Sequence, residues 1–183
     1  MELLLQETRF ISPMLTPYKL HQWLWKQFEK ANQDNRPFLY RSEKIADKLL
    51  LTVRRTTELE TSLRLTDRYL DLSENTVFQF SLKAVPVTRR GNKSLPLIGE
   101  AAEIWLFDQA TKGGFEIVAL TENNSFPLIF SGKNGHRVVL NETYFSGILR
   151  VTDCVLFGEV LITGIGRHRG FGFGLLDVKE IIG

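Results

Sequence analysis

Tyr18 and His21 are the side chains whose types and spacing best suit acid–base chemistry in this sequence. Three residues apart on a helix, they share one face beside Trp25, so a phenol and an imidazole can meet one substrate atom. An imidazole titrates near neutral pH and can take a proton from a ribose 2′-hydroxyl or give one to a 5′-oxygen, without a metal ion. The alternative interpretation is a half-buried helix edge with no chemical role. Taken by itself, the Tyr18/His21 pair favours this alternative.

Lys26 is a third candidate in the same segment, five residues after His21. At 100° per residue the two side chains lie about 140° apart around a helix. Lys26 therefore reaches a phosphate beside His21 only if its long side chain curls around the helix or the ligand wraps the helix end.

A glycine segment near the C-terminus, TGIGRHRGFGFGLL (163–176), is both flexible and basic. Its glycines are Gly164, Gly166, Gly170, Gly172 and Gly174, and its basic residues are Arg167, His168 and Arg169. It precedes a predicted strand and lacks a Lys-Ser/Thr ending, so it is neither a P-loop nor a dinucleotide fingerprint. Two interpretations fit: a backbone and arginines that bind phosphate, or a tight strand entry whose glycines pack under a helix.

Two other loops are basic although the net charge is only +2. The candidate RNA contacts in them are Lys83, Arg89, Arg90 and Lys93 in the first loop, and Lys133, His136 and Arg137 in the second. A fold that joins these loops with the glycine segment would form one surface for a polyanion. Ordinary solvated loops are the alternative interpretation.

Metal and cofactor motifs are missing from the sequence: the three histidines are far apart, the cysteine is single, and HExxH is absent. No stretch approaches the ~20 apolar residues that span a bilayer. The N-terminal apolar run is too short for a signal peptide, and one cysteine cannot form an internal disulfide. We therefore expect a soluble cytoplasmic protein that works without a metal or a cofactor.

The elements that must position these residues begin with a strand in LLLQETRFI and a helix over residues 17–32. Thr16 can cap this helix and Pro17 starts it. Its expected buried face consists of Leu20, Trp23, Leu24, Phe28 and Ala31. RPFLYRSEK, KLLLTVRRT and VFQFSLKAVPV predict three further strands, and no helix is predicted in residues 58–74.

The second half predicts a helix from Ser94 and Pro96 to the Gly113-Gly114 pair. FEIVAL, FPLIF, RVVL and TYFSGILRV predict short strands around an Asn134-Gly135 turn. A helix in TDCVLFGEVLIT and a strand in GFGFGLLDVKEII follow. These two successive sets predict an α+β protein of two tandem ferredoxin-like domains, each an antiparallel sheet with helices on one face, divided as 1–90 and 91–183.

Taken together, the sequence resembles the CRISPR repeat-processing endoribonucleases, specifically the CasE branch of Cascade-type systems. The matching pieces run in family order over almost the whole chain: YKLHQWLW, the basic connection before SLPLIGEAAEIWL, FSGKNGHRVV with FSGILRV, and GIGRHRGFGFGLL. The glycine motif marks the wider superfamily, and the Tyr-x-x-His on the first helix is particular to this branch.

The resemblance implies binding of a CRISPR repeat hairpin and metal-independent cleavage 3′ of its stem by 2′-OH attack, which leaves a 2′,3′-cyclic phosphate. Tyr18 and His21 would be the catalytic pair, Lys26 would support the scissile phosphate, and the glycine segment would lie against the catalytic helix. The implied partners are crRNA and other subunits of a Cascade-like complex.

Two other functions stay open at this point. One is a non-cleaving subunit that retains the 3′ hairpin of crRNA in an effector complex. The other is an unrelated RNA-recognition domain, for which Phe78 and Phe80 on a predicted strand are the candidate stacking aromatics.

Overall fold

Two four-stranded antiparallel sheets organise the protein, whose computed structural model describes residues 1–29 and 36–181. The first unit comprises β1 (Glu2–Pro13), α1 (Pro17–Trp25), β2 (Phe38–Ile45), β3 (Lys48–Arg55) and β4 (Thr66–Asp71). Its strand order is β2-β3-β1-β4. That order is the ferredoxin-like one, but residues 56–65, between β3 and β4, form a loop where the fold usually has its second helix. The expected lack of a helix here is confirmed.

The second unit repeats the same order with both helices in place. It comprises β5 (Val77–Ala84), β6 (Val87–Arg90), β7 (Lys93–Pro96), α2 (Glu100–Lys112), β8 (Phe115–Ser131), β9 (Arg137–Val151), α3 (Cys154–Thr163) and β10 (Leu176–Glu180). The sheet order is β10-β5-β9-β8, and β6 pairs with β7 as a separate hairpin. The predicted tandem ferredoxin-like fold is confirmed. In the described residues no helix is both long and apolar enough to cross a membrane.

The division between the sheets differs from the predicted boundary between residues 90 and 91. The first sheet ends with β4 at Asp71, and β5 already pairs with β9 and β10 of the second sheet. The short connection between β4 and β5 carries no linker signal, and the predicted boundary follows the next change in composition along the chain. Strand β5 therefore belongs with the C-terminal half of the chain.

Helix α1 begins as predicted but ends earlier. The Thr16 hydroxyl accepts a hydrogen bond from the Lys19 amide, and Pro17 is the first helical residue. The helix ends at Trp25 because the next backbone groups pair elsewhere: the Glu29 amide donates to the Glu60 carbonyl at 2.9 Å. The expected helix end at residue 32 is therefore wrong, although residues 30–32 themselves lie outside the described residues.

The apolar face of α1 packs on the first sheet. Leu20, Leu24 and Phe28 are buried in a cluster with Phe38, Tyr40, Leu49, Leu51 and Val53. Trp23 lies at the margin, 36% exposed, with its ring 5.8 Å from that of Phe10. The buried face was thus predicted correctly except for Trp23, and Ala31 lies outside the described residues.

The second sheet buries one apolar face under α2 and α3. Alternate residues of β5, Phe78, Phe80, Leu82 and Ala84, all point into this core, as their spacing predicts. Phe78 is 0% and Phe80 is 2% exposed. Because neither ring can stack on a base, the hypothesis of an RNA-recognition domain that uses these two aromatics is wrong.

Two predicted boundaries in this unit are also wrong. Ser94 and Pro96 lie in β7, where KSLP pairs with VTRR, and the helix begins at Glu100 after a turn at Gly99. The four short strands predicted around Asn134-Gly135 are two long ones, paired from Phe115 opposite Val151 to Ser131 opposite Arg137. Thr121, Glu122 and Asn124 in mid-strand are exposed to solvent, so this polar stretch does not interrupt the hairpin.

The outer part of the β8–β9 hairpin forms an arm that leaves the sheet. Strand β5 pairs with β9 only over residues 143–150, so residues 126–131 and 137–142 pair with one another alone. A short 3₁₀ turn at Lys133–Gly135 closes the arm, with Asn134 and Gly135 both at positive φ as the predicted turn requires.

Candidate active site

A cleft of about 730 Å³ lies where α1, Arg36 just before β2, and the tip of the arm meet. Its lining residues are Tyr18, His21, Gln22, Trp25, Lys26, Arg36 and Lys133. Three of these side chains are cationic, and none of the described residues that line the cleft is acidic. Such a site attracts an anion, and a phosphate is the anion that Lys and Arg groups commonly bind.

His21 makes one hydrogen bond in this cleft. Its Nε2 accepts from the Trp25 indole N–H at 2.9 Å. Its Nδ1 is buried next to Gly170 and has no hydrogen-bond partner among residues 1–29 and 36–181. Burial lowers the pKa of His21 from its usual 6.5, and the charge of Arg36 lowers it further, while the Gly170 backbone partly opposes both effects. His21 is therefore neutral at pH 7 and can accept a proton.

Tyr18 and Lys26 line the same cleft as His21. The Tyr18 hydroxyl accepts a hydrogen bond from the Gln22 amide at 3.2 Å. Lys26 is not fixed on the far side of a continuing helix, because α1 ends one residue before it. The early end of the helix thus removes the obstacle that helical spacing placed between Lys26 and His21.

The glycine segment lies against α1 through Tyr40. The Tyr40 hydroxyl donates to the Gly170 carbonyl at 3.0 Å and lies 3.4 Å from the Pro17 carbonyl. Burial raises the pKa of this phenol, so it stays protonated as a donor. A Cβ on Gly170 would lie 3.4 Å from the His21 ring. Tyr40 therefore fixes the backbone of the glycine segment beside the imidazole.

The other glycines serve packing. Gly172 has φ +89°, and a Cβ there would lie 2.8 Å from the Tyr40 ring. Gly174 has φ +85°, and its carbonyl accepts from the Ile165 amide at 2.8 Å as the segment folds back on itself. Gly164 and Gly166 turn the chain just after α3. The interpretation as a tight strand entry thus describes these four, whereas Gly170 borders the cleft.

Arg36 is a site residue that the sequence analysis missed. Its Nε donates to the Phe38 carbonyl at 2.7 Å. Burial lowers the pKa of Arg36 to about 10, and the nearby charge of Arg169 contributes, so the guanidinium stays cationic at neutral pH. Nothing in the letters RPF distinguishes this arginine, because its position depends on how β2 runs beside α1.

An aromatic contact joins the arm to the glycine segment. The Phe171 ring lies 5.1 Å from Phe130 of the arm and 6.2 Å from His21. His168 stacks on the other side of Phe171, in a left-handed conformation with φ +59°. Lys133, three residues after Phe130, thereby reaches the cleft. The sequence placed Lys133 on a hairpin tip, but it had no signal that this tip meets the first helix.

The remaining predicted RNA contacts lie apart from this cleft. Arg89, Arg90 and Lys93 are exposed on the β6–β7 hairpin, and His136 and Arg137 are exposed at the arm tip. Arg167 and Arg169 line a second cleft of about 300 Å³ beside Trp105, from which the charge of Arg169 also acts on Arg36 of the first cleft. Lys83 is half-buried and pairs with Glu142 at 3.0 Å, so its charge is already compensated.

The described parts of the chain contain no group of three or more His, Cys, Asp or Glu side chains placed to hold a metal ion.

A family model described as CRISPR associated protein matches residues 3–180. The chain belongs to this family of CRISPR-associated proteins.

Several known proteins are similar to this chain, distantly in sequence and closely in structure. The Cascade subunit CasE of Escherichia coli is 24% identical in an alignment that covers 90% of this chain and 92% of that protein. Thermus thermophilus Cse3, solved with an RNA representing a pre-cleavage complex, is 21% identical with a TM-score of 0.79 over 97% of this chain and 100% of that one. Cas6e of Escherichia coli is 20% identical with a TM-score of 0.73 over 98% and 100%. These structures share the fold described above.

Proposed function

We propose that this CRISPR-associated protein is a metal-independent endoribonuclease that binds repeat hairpins in precursor crRNA and cuts 3′ of the stem. The observation that carries the proposal is the site of His21: a neutral imidazole in a cleft lined by Tyr18 and by cations. A ribose 2′-hydroxyl next to a phosphodiester is the substrate that such a site suits, because one group accepts a proton while the cations balance phosphate charge.

The proposed reaction needs only groups of the RNA and of this chain. His21 takes the proton of the 2′-hydroxyl, the 2′-oxygen bonds to phosphorus, and the bond from phosphorus to the 5′-oxygen breaks. That 5′-oxygen takes up a proton from water or from Tyr18, which water then reprotonates. The products are a 2′,3′-cyclic phosphate and a 5′-hydroxyl. Lys26, Arg36 and Lys133 offset the extra negative charge that develops on the phosphate.

The rest of the basic surface suits an RNA stem. An A-form stem has a deep, narrow major groove, so a protein contacts mainly its phosphates and its shape. The exposed cations of the β6–β7 hairpin and of the arm tip, together with Arg167 and Arg169, are proposed phosphate contacts of this kind. The relatives are described as a Cascade subunit and as an RNA-bound endoribonuclease, which supports RNA as the ligand.

The same relatives support crRNA and other subunits of a Cascade-like complex as partners. A cytoplasmic location belongs to this proposal, since precursor crRNA is made there. A subunit that holds the 3′ hairpin without cutting it would need the basic surface but would not need a titrating group beside Tyr18.

The test is incubation of the purified protein with repeat hairpin RNA in EDTA, beside the same RNA with one 2′-deoxy substitution at each position in turn. We expect cleavage that a single deoxy position blocks. His21→Ala should lose ~10²-fold or more of the rate and keep its hairpin affinity within a few-fold, because it removes only the proton acceptor. His136→Ala, which removes a histidine outside the cleft, should keep the rate at saturating RNA. Tight binding with no cleavage would show the non-cleaving subunit instead.

A further inference from the structure

The hydrogen bond between Trp25 and His21 determines which nitrogen of the imidazole carries the proton. The indole N–H can only donate, so the Nε2 that it contacts at 2.9 Å must be unprotonated. The proton of the neutral ring is therefore on Nδ1. Since Nδ1 is buried beside Gly170, it cannot reach a ligand in the cleft. Nε2 is the nitrogen that a substrate can approach, and Trp25 occupies it.

We infer that Trp25 is a positioning residue. Its indole N–H holds His21 in the tautomer whose Nε2 carries no proton, so that Nε2 can accept the 2′-hydroxyl proton of bound RNA. This inference rests on the proposed function, and it assigns His21 the role of general base, which the sequence left open. The 2′-hydroxyl must replace the indole at Nε2, so binding of RNA has to shift either the Trp25 side chain or the imidazole ring.

Packing restricts Trp25 to this position. Its ring meets Phe38 edge-to-face at 5.6 Å and His21 at 6.0 Å, and the side chain is half-buried. Trp23, on the same helix, packs against Phe10 instead, and within the described residues its indole makes no hydrogen bond to His21. The two tryptophans therefore form a natural pair of site and control.

The cations around His21 favour its neutral form, as the hydrogen bond from the indole does. The charged or titratable groups that face this region are Tyr18 and Lys26 on α1, Arg36 before β2, Lys133 on the arm, and His168 and Arg169 on the glycine segment. The cations among them disfavour an imidazolium, and no described carboxylate lines the cleft. An imidazolium could not accept the indole N–H, so protonation of His21 also breaks the bond to Trp25.

The decisive experiment combines ¹⁵N NMR of the histidines in the free protein with the pH dependence of single-turnover cleavage at protein concentrations well below the Kd for RNA, where the rate reports the titration of the free enzyme, in which Trp25 still contacts His21. In the wild type we expect the His21 signals of a ring protonated on Nδ1. In Trp25→Phe, which keeps an aromatic ring but removes the N–H, we expect the population with a protonated Nε2 to rise. The low-pH limb of the cleavage rate should move to higher pH, so that at pH 6 the variant loses up to roughly tenfold more of its rate than at pH 8.

Trp23→Phe is the matched control and should leave both the tautomer and the low-pH limb as in the wild type. Replacement of Trp25 by 3-benzothienylalanine exchanges only the N–H for sulfur, so it answers the question if Trp25→Phe does not fold. An unchanged tautomer and an unchanged low-pH limb in these variants would overturn the inference. If the wild type cleaves no RNA, the proposed function fails, while the NMR of the free protein still decides what Trp25 does to His21.

Discussion

The two ferredoxin-like units share a strand order but differ in what covers their sheets. The second sheet has both helices and buries a continuous apolar core that includes Phe115, Phe145 and Phe157. The first sheet has one helix on its apolar face. Its other face carries charged residues, Glu7, Arg9 and Arg41 among them, and these turn toward the second unit.

Arg54 shows how the first unit contacts the second through the sheet face that has no helix. Its side chain is 0% exposed, pairs with Glu7 at 2.5 Å, and donates to the carbonyls of Leu161 and Leu176 in the second unit. Leu5 joins the apolar core of the second unit from the same face. The comparison teaches that each unit has an apolar cluster, but the first unit also has a second sheet face whose charged residues depend on contacts with its neighbour. The catalytic candidates lie on the dependent unit.

The largest expected effect comes from Arg54→Met, which removes the buried guanidinium, leaves Glu7 with only the longer contact to Arg68 at 3.5 Å, and removes the hydrogen bonds to two carbonyls. We expect the free energy of unfolding to fall by about 3–5 kcal/mol, the usual cost of breaking a buried ion pair. Urea unfolding measures it. Arg55→Met removes a pair with the exposed Glu58 and should cost about 0–1 kcal/mol. Equal losses in the two variants would mean that the units do not depend on this contact.

A smaller effect is expected from Gly172→Ala, at the contact between the glycine segment and Tyr40 of the first unit. The positive φ and the 2.8 Å approach of a Cβ to the Tyr40 ring should together cost about 1–3 kcal/mol in urea unfolding. Cleavage should slow as well, because Gly170 beside His21 would shift. Gly135→Ala also has a positive φ, +75°, but open space around the Cβ, so it shares the strain without the clash. Identical losses at both glycines would argue against the Tyr40 contact.

The smallest effect is a pH dependence of stability at the same junction. Burial is the main cause that lowers the pKa of His21 and of His168 in the folded protein. The unfolded chain therefore binds more protons near pH 6, so this stability is complete above about pH 7 and falls as the pH drops below the unfolded value of 6.5. Urea midpoints at pH 7.5 and 5.5 should differ less in His21→Gln/His168→Gln than in the wild type. A double variant whose midpoints differ as much as those of the wild type would contradict the assignment.

Much of the fold follows from local patterns in the sequence. The Thr16 cap with Pro17, the alternation of β5 and the Asp153 cap of α3 each depend on residues within one turn or one strand. The same holds for the turn at Asn134-Gly135. Local backbone and periodicity effects determine such features, so a reader of the sequence can find them.

Other features of the fold depended on distant partners. Helix α1 stops at Trp25 because the backbone around Phe28 pairs with the segment around Thr61. Strand β5 joins the second sheet because β9 and β10 pair with its two edges. Neither partner is visible in the local sequence, which is why the helix end and the domain boundary were misplaced.

The candidate site divides in the same way. The sequence alone determined that Tyr18 and His21 share a helix face, that Gly164 to Gly174 form a tight and basic entry to the last strand, and that the two units are ferredoxin-like. Only the tertiary structure decided that Arg36 and Lys133 line the cleft, that Trp25 holds Nε2 of His21, and that Lys83 is paired with Glu142. The physical reason is range: helix faces and turns depend on neighbours in the chain, whereas a cleft and its charges depend on which distant strands and loops pack together.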